Sequence, residues 1–309
     1  MFRDETSHGD LSFGLLLQAL RGVTLWRPNL VYGGCLLAGV GISVWLTSVA
    51  GDLGGAVSPF ALLFAILIGY LAAGRLLIFD ARGEPGPGLR KSLGFALRVW
   101  PRLLLLVLME ALLLSGIAFV EVLVFGVSRL PSLGPYLVIP LFPVTALFNA
   151  ALLVLAIIVF NLSGPALWHG ESVGKALQHT LRIASSRPGS ILLMMLLLSI
   201  LASAVALVII VVLYLGYALT LATAAPFLGN SLFANGATEA LLLQWLPSMS
   251  SDSLWAASLE PLTLWTQWGE RLFWFAAGIL IFLLPSVVFL TGMAHLYLEA
   301  LELESPEDV

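Results

Sequence analysis

Six continuous apolar runs leave this chain few ways to fold: roughly Leu30 to Ala50, Pro59 to Phe79, Leu103 to Val127, Tyr136 to Phe160, Ser190 to about Leu215, and Leu272 to Leu296. Each reaches the ~20 residues that a helix needs to cross a ~30 Å hydrocarbon core. Backbone N–H and C=O groups in lipid must be satisfied within the chain, which permits helices or a closed barrel, and unbroken apolar runs lack the alternation of barrel strands. The expected fold is therefore all-α and integral to a membrane, with six transmembrane helices in a single domain over residues 1–309. With 60% of residues hydrophobic and 10% charged, and a mean hydropathy of +1.01, a soluble catalytic domain has no room to exist.

Positive charge sets the orientation. Arg3, Arg21 and Arg27 precede the first run, Arg75, Arg82, Arg90, Lys91, Arg98 and Arg102 are assigned between the second and third, and Lys175, Arg182 and Arg187 between the fourth and fifth. Twelve of the fourteen Lys and Arg residues thus fall on one side. The opposite loops, Gly51 to Ser58, Ser128 to Gly134 and Ala225 to Glu270, carry only Arg129, with Arg271 at the start of the last run. Both termini are expected in the cytoplasm. The polar first ten residues lack a cleavage pattern after a short apolar core, so the first run reads as a retained anchor.

The connections repeat. In 169–182, Leu181, Thr180, Leu177, Ala176 and Val173 form the small or apolar face of a helix of period 3.6, and Gln178, His179, Lys175 and Glu171 its polar face. Shifted by 84, those positions hold Leu97, Ala96, Leu93, Ser92 and Leu89, with Lys91 under Lys175. Shifted by 161, they hold Leu20, Ala19, Leu16, Leu15 and Ser12, with His8-Gly9-Asp10 under His169-Gly170-Glu171. All three segments end in Leu-Arg, followed within seven residues by Pro28, Pro101 or Pro188. The expectation is a pseudo-threefold repeat of amphipathic helix plus helical hairpin, in units of about 10–82, 83–168 and 169–303. The three helices, 10–23, 88–100 and 171–184, are expected along the cytoplasmic headgroups, with Arg21, Arg27, Arg98, Arg102, Arg182 and Arg187 as headgroup contacts.

The third unit departs from this plan. Its upstream run continues past Leu215 to Ala225, so that helix is expected to tilt, bend near Gly216, or project beyond the bilayer. A long external loop, about 226–270, carries Trp245, Trp255, Trp265 and Trp268, which suit either a partner-binding surface or a segment resting in the headgroup layer. Glu299, Glu302, Glu304, Glu307 and Asp308 give an acidic tail over 299–309, which accounts for most of the net charge of −4.

Polar residues at membrane depth are few. Glu110 and Glu121 are three turns apart on one helix face, and with Thr145 and Asn149 of the next run they form a candidate intramembrane polar path. Glu110 is expected to face the protein interior; the structural alternative is snorkelling or an ion pair with Arg102. Small residues four apart at Gly34/Ala38, Gly69/Ala73 and Ser199/Ser203 suit close helix packing. Pro140, Pro143 and Pro285 are expected to kink their helices. Cys35 is the lone cysteine, and His8, His169, His179 and His295 have no metal-ligand spacing, so no metal or cofactor is expected. Phosphate-loop, nucleophile-elbow and nucleic-acid patterns are absent from the sequence.

The run Asn161-Leu162-Ser163-Gly164-Pro165-Ala166-Leu167-Trp168-His169-Gly170-Glu171-Ser172-Val173-Gly174-Lys175-Ala176-Leu177, followed by Arg182 and Arg187, resembles six-span bacterial membrane-protein families related to the membrane domain of glycerophosphodiester phosphodiesterases. The resemblance covers the chain in plan and some fifteen residues in motif. It implies a six-helix bundle; the phosphodiesterase domain is absent, so no activity carries over. The functional expectation is a non-catalytic scaffold or accessory subunit whose partners are membrane lipids and other membrane-protein subunits rather than nucleic acid. The alternative is a small-solute or lipid transporter with a path past Glu110 and Glu121.

Overall fold

The computed structural model describes residues 14–127, 134–228 and 260–304, and every regular element among them is a helix. In order these are α1 (Gly14–Leu20), a 3-10 turn (Arg21–Thr24), α2 (Trp26–Ala81), α3 (Leu89–Val127), α4 (Gly134–His169), α5 (Val173–Ser186), α6 (Pro188–Leu228) and α7 (Glu260–Glu304). Five of them, α2, α3, α4, α6 and α7, are long and apolar enough to cross a membrane.

The first two apolar runs both lie in α2, which is not straight. Gly51 leaves helical geometry at φ 54°, ψ −129°, a conformation that L side chains rarely adopt. The two halves fold back on each other from there. A Cβ on Gly39 would meet Ala65 at 2.6 Å, a Cβ on Gly69 would meet Tyr32 at 2.8 Å, and the Ser43 hydroxyl donates to the Ser58 carbonyl at 2.9 Å. The expected eight-residue loop from Gly51 to Ser58 is thus one residue of turn, with helix resuming at once. Of the small-residue pairs, Gly69 makes a close helix contact, whereas a Cβ on Gly34 would meet nothing.

The amphipathic segments are treated unequally. α1 is set off by the 3-10 turn; the Gly22 carbonyl within it and the Leu25 carbonyl just after it accept from the Asn29 amide at 2.9 and 2.8 Å. α5 is set off by Arg187, where the backbone departs from helix (φ −143°, ψ 59°). The middle segment is not a separate helix: α3 runs from Leu89 straight through Pro101. Their inward faces nonetheless match, with Leu15, Ala19 and Gly22 buried in the first, Ser92, Ala96 and Val99 in the second, and Ala176, Thr180 and Ile183 in the third.

The third hairpin is also more helical than its sequence suggests. α6 continues through Gly216 to Leu228, and α7 begins at Glu260 and extends to Glu304, so both ends of the expected 226–270 loop and the first half of the expected tail are helix. Trp245 and Trp255 lie outside the described residues, as do Arg129 and His8, and Trp265 and Trp268 fall where only the backbone of α7 is described. Pro143 and Pro285 sit within continuous helices.

The chain forms two compact units, Met1–Ala202 with Pro285–Val309, and Ser203–Leu284. In the first, close packing concentrates where 68–78 of α2, 158–168 of α4, α5 and 287–300 of α7 are buried together. In the second, Tyr217 stacks on Phe273 at 5.1 Å and touches Trp274 at 5.1 Å.

Candidate functional site

Two helices end alike. α2 is closed by Gly83 (φ 69°) and α4 by Gly170 (φ 105°), each just past the last helical turn. Gly83 N–H bonds to the Asp80 carbonyl at 2.9 Å and Glu84 N–H to Phe79 at 3.0 Å; Gly170 N–H bonds to Leu167 at 3.0 Å and Glu171 N–H to Ala166 at 3.3 Å. This is the paired closure of a left-handed glycine cap, which satisfies helix-end carbonyls that would otherwise lack donors. Each cap is followed by a glutamate. Glu84 stays at the surface, 4.0 Å from Arg82, whereas only 10% of the Glu171 side chain remains exposed.

Glu171 is the centre of a polar cluster. Its Oε1 accepts from the Tyr297 hydroxyl at 2.8 Å, lies 3.1 Å from His179 Nδ1 and 3.6 Å from His169 Nδ1. The cluster therefore joins the end of α4, the polar face of α5 and the fully buried Tyr297 of α7. Burial pushes the Glu171 carboxyl up, but hydrogen bonds from His169, Tyr297 and His179 and the charge of His179 outweigh it and bring the group from 4.5 to about 2. Oε2 is buried without a partner.

One turn earlier, Trp168 is fully buried. Arg75 of α2 donates from Nη1 to the Trp168 carbonyl, and its guanidinium lies between the rings of Phe79 and Phe95, 4.7 Å from each. Arg75 thus supplies a donor to the end of α4 and stacks on two aromatic faces, which a planar cation does well. Charge counting places it in a cytoplasmic connection, whereas it lies inside α2.

The α2–α4 contact beneath is keyed both ways. A Cβ on Gly74 would collide with the Trp168 ring, and a Cβ on Gly164 would collide with the Tyr70 hydroxyl. Tyr70 and Gly74 are four apart, as are Gly164 and Trp168, so the two helices run parallel and each offers a large residue to the other's glycine. The Tyr70 and Trp168 rings meet edge-on at 4.9 Å.

The sequence-derived candidates fare differently. Glu121 and Asn149 come together, with the amide donating to Oε2 at 3.0 Å. Thr145 lines the same groove as Glu121 but donates back to the Leu141 carbonyl at 2.9 Å. Glu110 is half-buried, with both carboxyl oxygens shielded, and it lines an apolar cavity. Glu110 and Glu121 therefore both face α4, in separate surroundings. Arg21, Arg27, Arg98, Arg102, Arg182 and Arg187 are all exposed.

Sequence reasoning missed the Glu171 cluster as a unit, along with Arg75 and Tyr297. Arg75 had a signal, a cation in the apolar stretch Ala72-Ala73-Gly74-Arg75-Leu76-Leu77-Ile78. Tyr297 had none, being 126 residues from Glu171. Among the described residues, no three His, Cys, Asp or Glu side chains converge as metal ligands would. No protein-family model, curated protein or solved structure matches the chain.

Proposed function

We propose that this protein is a non-catalytic scaffold or accessory subunit of a bacterial inner-membrane complex, with six spans, a pseudo-threefold plan and both termini in the cytoplasm. The carrying observation is how its conspicuous polar side chains are used: Glu171 with Tyr297 and His179, and Arg75 with the Trp168 carbonyl, brace helix ends against one another. Such bonds make a rigid cytoplasmic face. Rigid faces lose little entropy when a partner docks. The six-span plan is supported by the reversal of α2 at Gly51, and the repeat by the matching inward faces of the three Leu-Arg segments. Affinity purification in mild detergent with mass spectrometry tests the reading, and a stoichiometric membrane partner is expected. Substrate- or proton-dependent flux by the purified chain in liposomes, with no partner recovered, would overturn it.

The second reading, a small-solute or lipid transporter, draws on Glu110 and Glu121 each facing α4, in separate surroundings. Under it, Glu110→Gln shifts or abolishes the pH dependence of flux while the protein still folds. For topology, cysteines at Asp52 should be labelled from outside and cysteines at Glu84 should not; external labelling at Glu84 reverses the orientation.

A further inference from the structure

Between α3, α4 and α5 lies a cavity of about 370 Å³. Its walls are mainly apolar, with Leu113 and Leu114 of α3, Leu152 and Leu155 of α4, and Leu177 and Leu181 of α5 prominent among them. Glu110 and Asn161 are the polar members of the lining, and no Lys, Arg or His is among them. The Asn161 amide donates to the Ile157 carbonyl at 2.8 Å. Among the described residues neither Glu110 oxygen meets a partner at full hydrogen-bonding geometry; the Ser163 hydroxyl lies close enough to interact with the carboxyl group and donates to the Phe160 carbonyl at 2.8 Å. A carboxyl group shielded in apolar surroundings with no more than one hydroxyl beside it is costly, and among the described residues no cationic side chain lines the cavity. An occupant with an apolar body and a donating, positively charged end removes both deficits at once.

We propose that this cavity binds a long-chain cationic amphiphile, its ammonium group hydrogen-bonded to the Glu110 carboxylate and its alkyl chain laid along the leucines of α3, α4 and α5. Charge complementarity selects this occupant over an ordinary acyl chain. A lipid tail fills the apolar walls but leaves Glu110 without a donor, and a fatty acid adds a second carboxylate beside the first. Leu177 and Leu181 give α5 a direct part in holding the ligand, apart from the Ala176, Thr180 and Ile183 face it buries in the core.

The test uses the full chain in maltoside micelles, with dodecylamine, dodecanol and dodecanoate as probes, read by calorimetric binding and by thermal stabilisation. Dodecylamine is expected to bind at least tenfold more tightly than either other probe, Glu110→Gln to remove that preference, and Ser163→Ala to leave it in place. Ala156→Phe, which places a ring in the cavity and leaves Glu110 unsubstituted, should abolish binding of dodecylamine. Equal binding of dodecylamine and dodecanol by the unsubstituted chain overturns the proposal, as does amine preference that survives either Glu110→Gln or Ala156→Phe.

Discussion

Removing one hydroxyl tests the Glu171 cluster. In Tyr297→Phe the buried ring is kept, including its edge contact with His169 at 6.1 Å, and the 2.8 Å bond to Glu171 is lost. Each tenfold change in an acid constant is worth about 1.4 kcal/mol, so a carboxyl held at about 2 instead of 4.5 contributes about 3 kcal/mol to folding. Tyr297 makes the shortest of the three contacts to Oε1 (2.8 Å, against 3.1 and 3.6 Å) and holds part of that sum beside His169 and His179. A hydrogen bond to a charged group contributes about 1.5–3 kcal/mol, which puts the loss in Tyr297→Phe at about 2 kcal/mol at pH 7. Because the folded carboxyl lies below its unfolded value, its contribution is present above pH 4.5 and disappears as pH falls towards about 2. Unfolding free energies from denaturant titration in mixed micelles, at pH 7 and at pH 2, should therefore differ between wild type and variant at neutral pH and converge in acid. On a Glu171→Gln background the same substitution should cost under about 0.5 kcal/mol. An equal loss at both pH values would assign the effect to ring packing and refute the argument.

Gly74→Ala drives a methyl group into the Trp168 ring and should cost about 1–3 kcal/mol by overpacking; adding Trp168→Phe should recover part of that in the same unfolding assay. Arg75→Lys keeps the charge but loses the sandwich between Phe79 and Phe95, and should lower stability by about 1 kcal/mol without rescue of the α4 terminus. Gly51→Ala meets a disfavoured backbone conformation and should cost about 1–3 kcal/mol, whereas Gly34→Ala, where a Cβ meets nothing, should stay within about 0.5 kcal/mol. Equal effects of the two glycine substitutions would refute the turn at Gly51.

What the sequence could determine by itself is what a helix records along its own length. Run length and apolarity reported helices able to cross a membrane, because lipid forces backbone hydrogen bonds to close within each segment. The period of 3.6 reported which face of the Leu-Arg segments turns inward: Thr180 and Ala96, marked as small positions, are fully buried. Eleven-residue spacing likewise put Glu110 and Glu121 on one face, and both face α4. Continuity was less legible. The 88–100 segment merges into α3 because Pro101 follows within the helix rather than ending it, and the α2 turn shrinks to Gly51 because one left-handed glycine can reverse a chain. Only tertiary structure could decide which side chains meet. Tyr297 reaches Glu171 across 126 residues, and Tyr70 and Trp168 find Gly164 and Gly74 on facing helices, because the relative rotation and axial register of two helices are set by how their surfaces interlock. Periodicity within either helix does not contain that information.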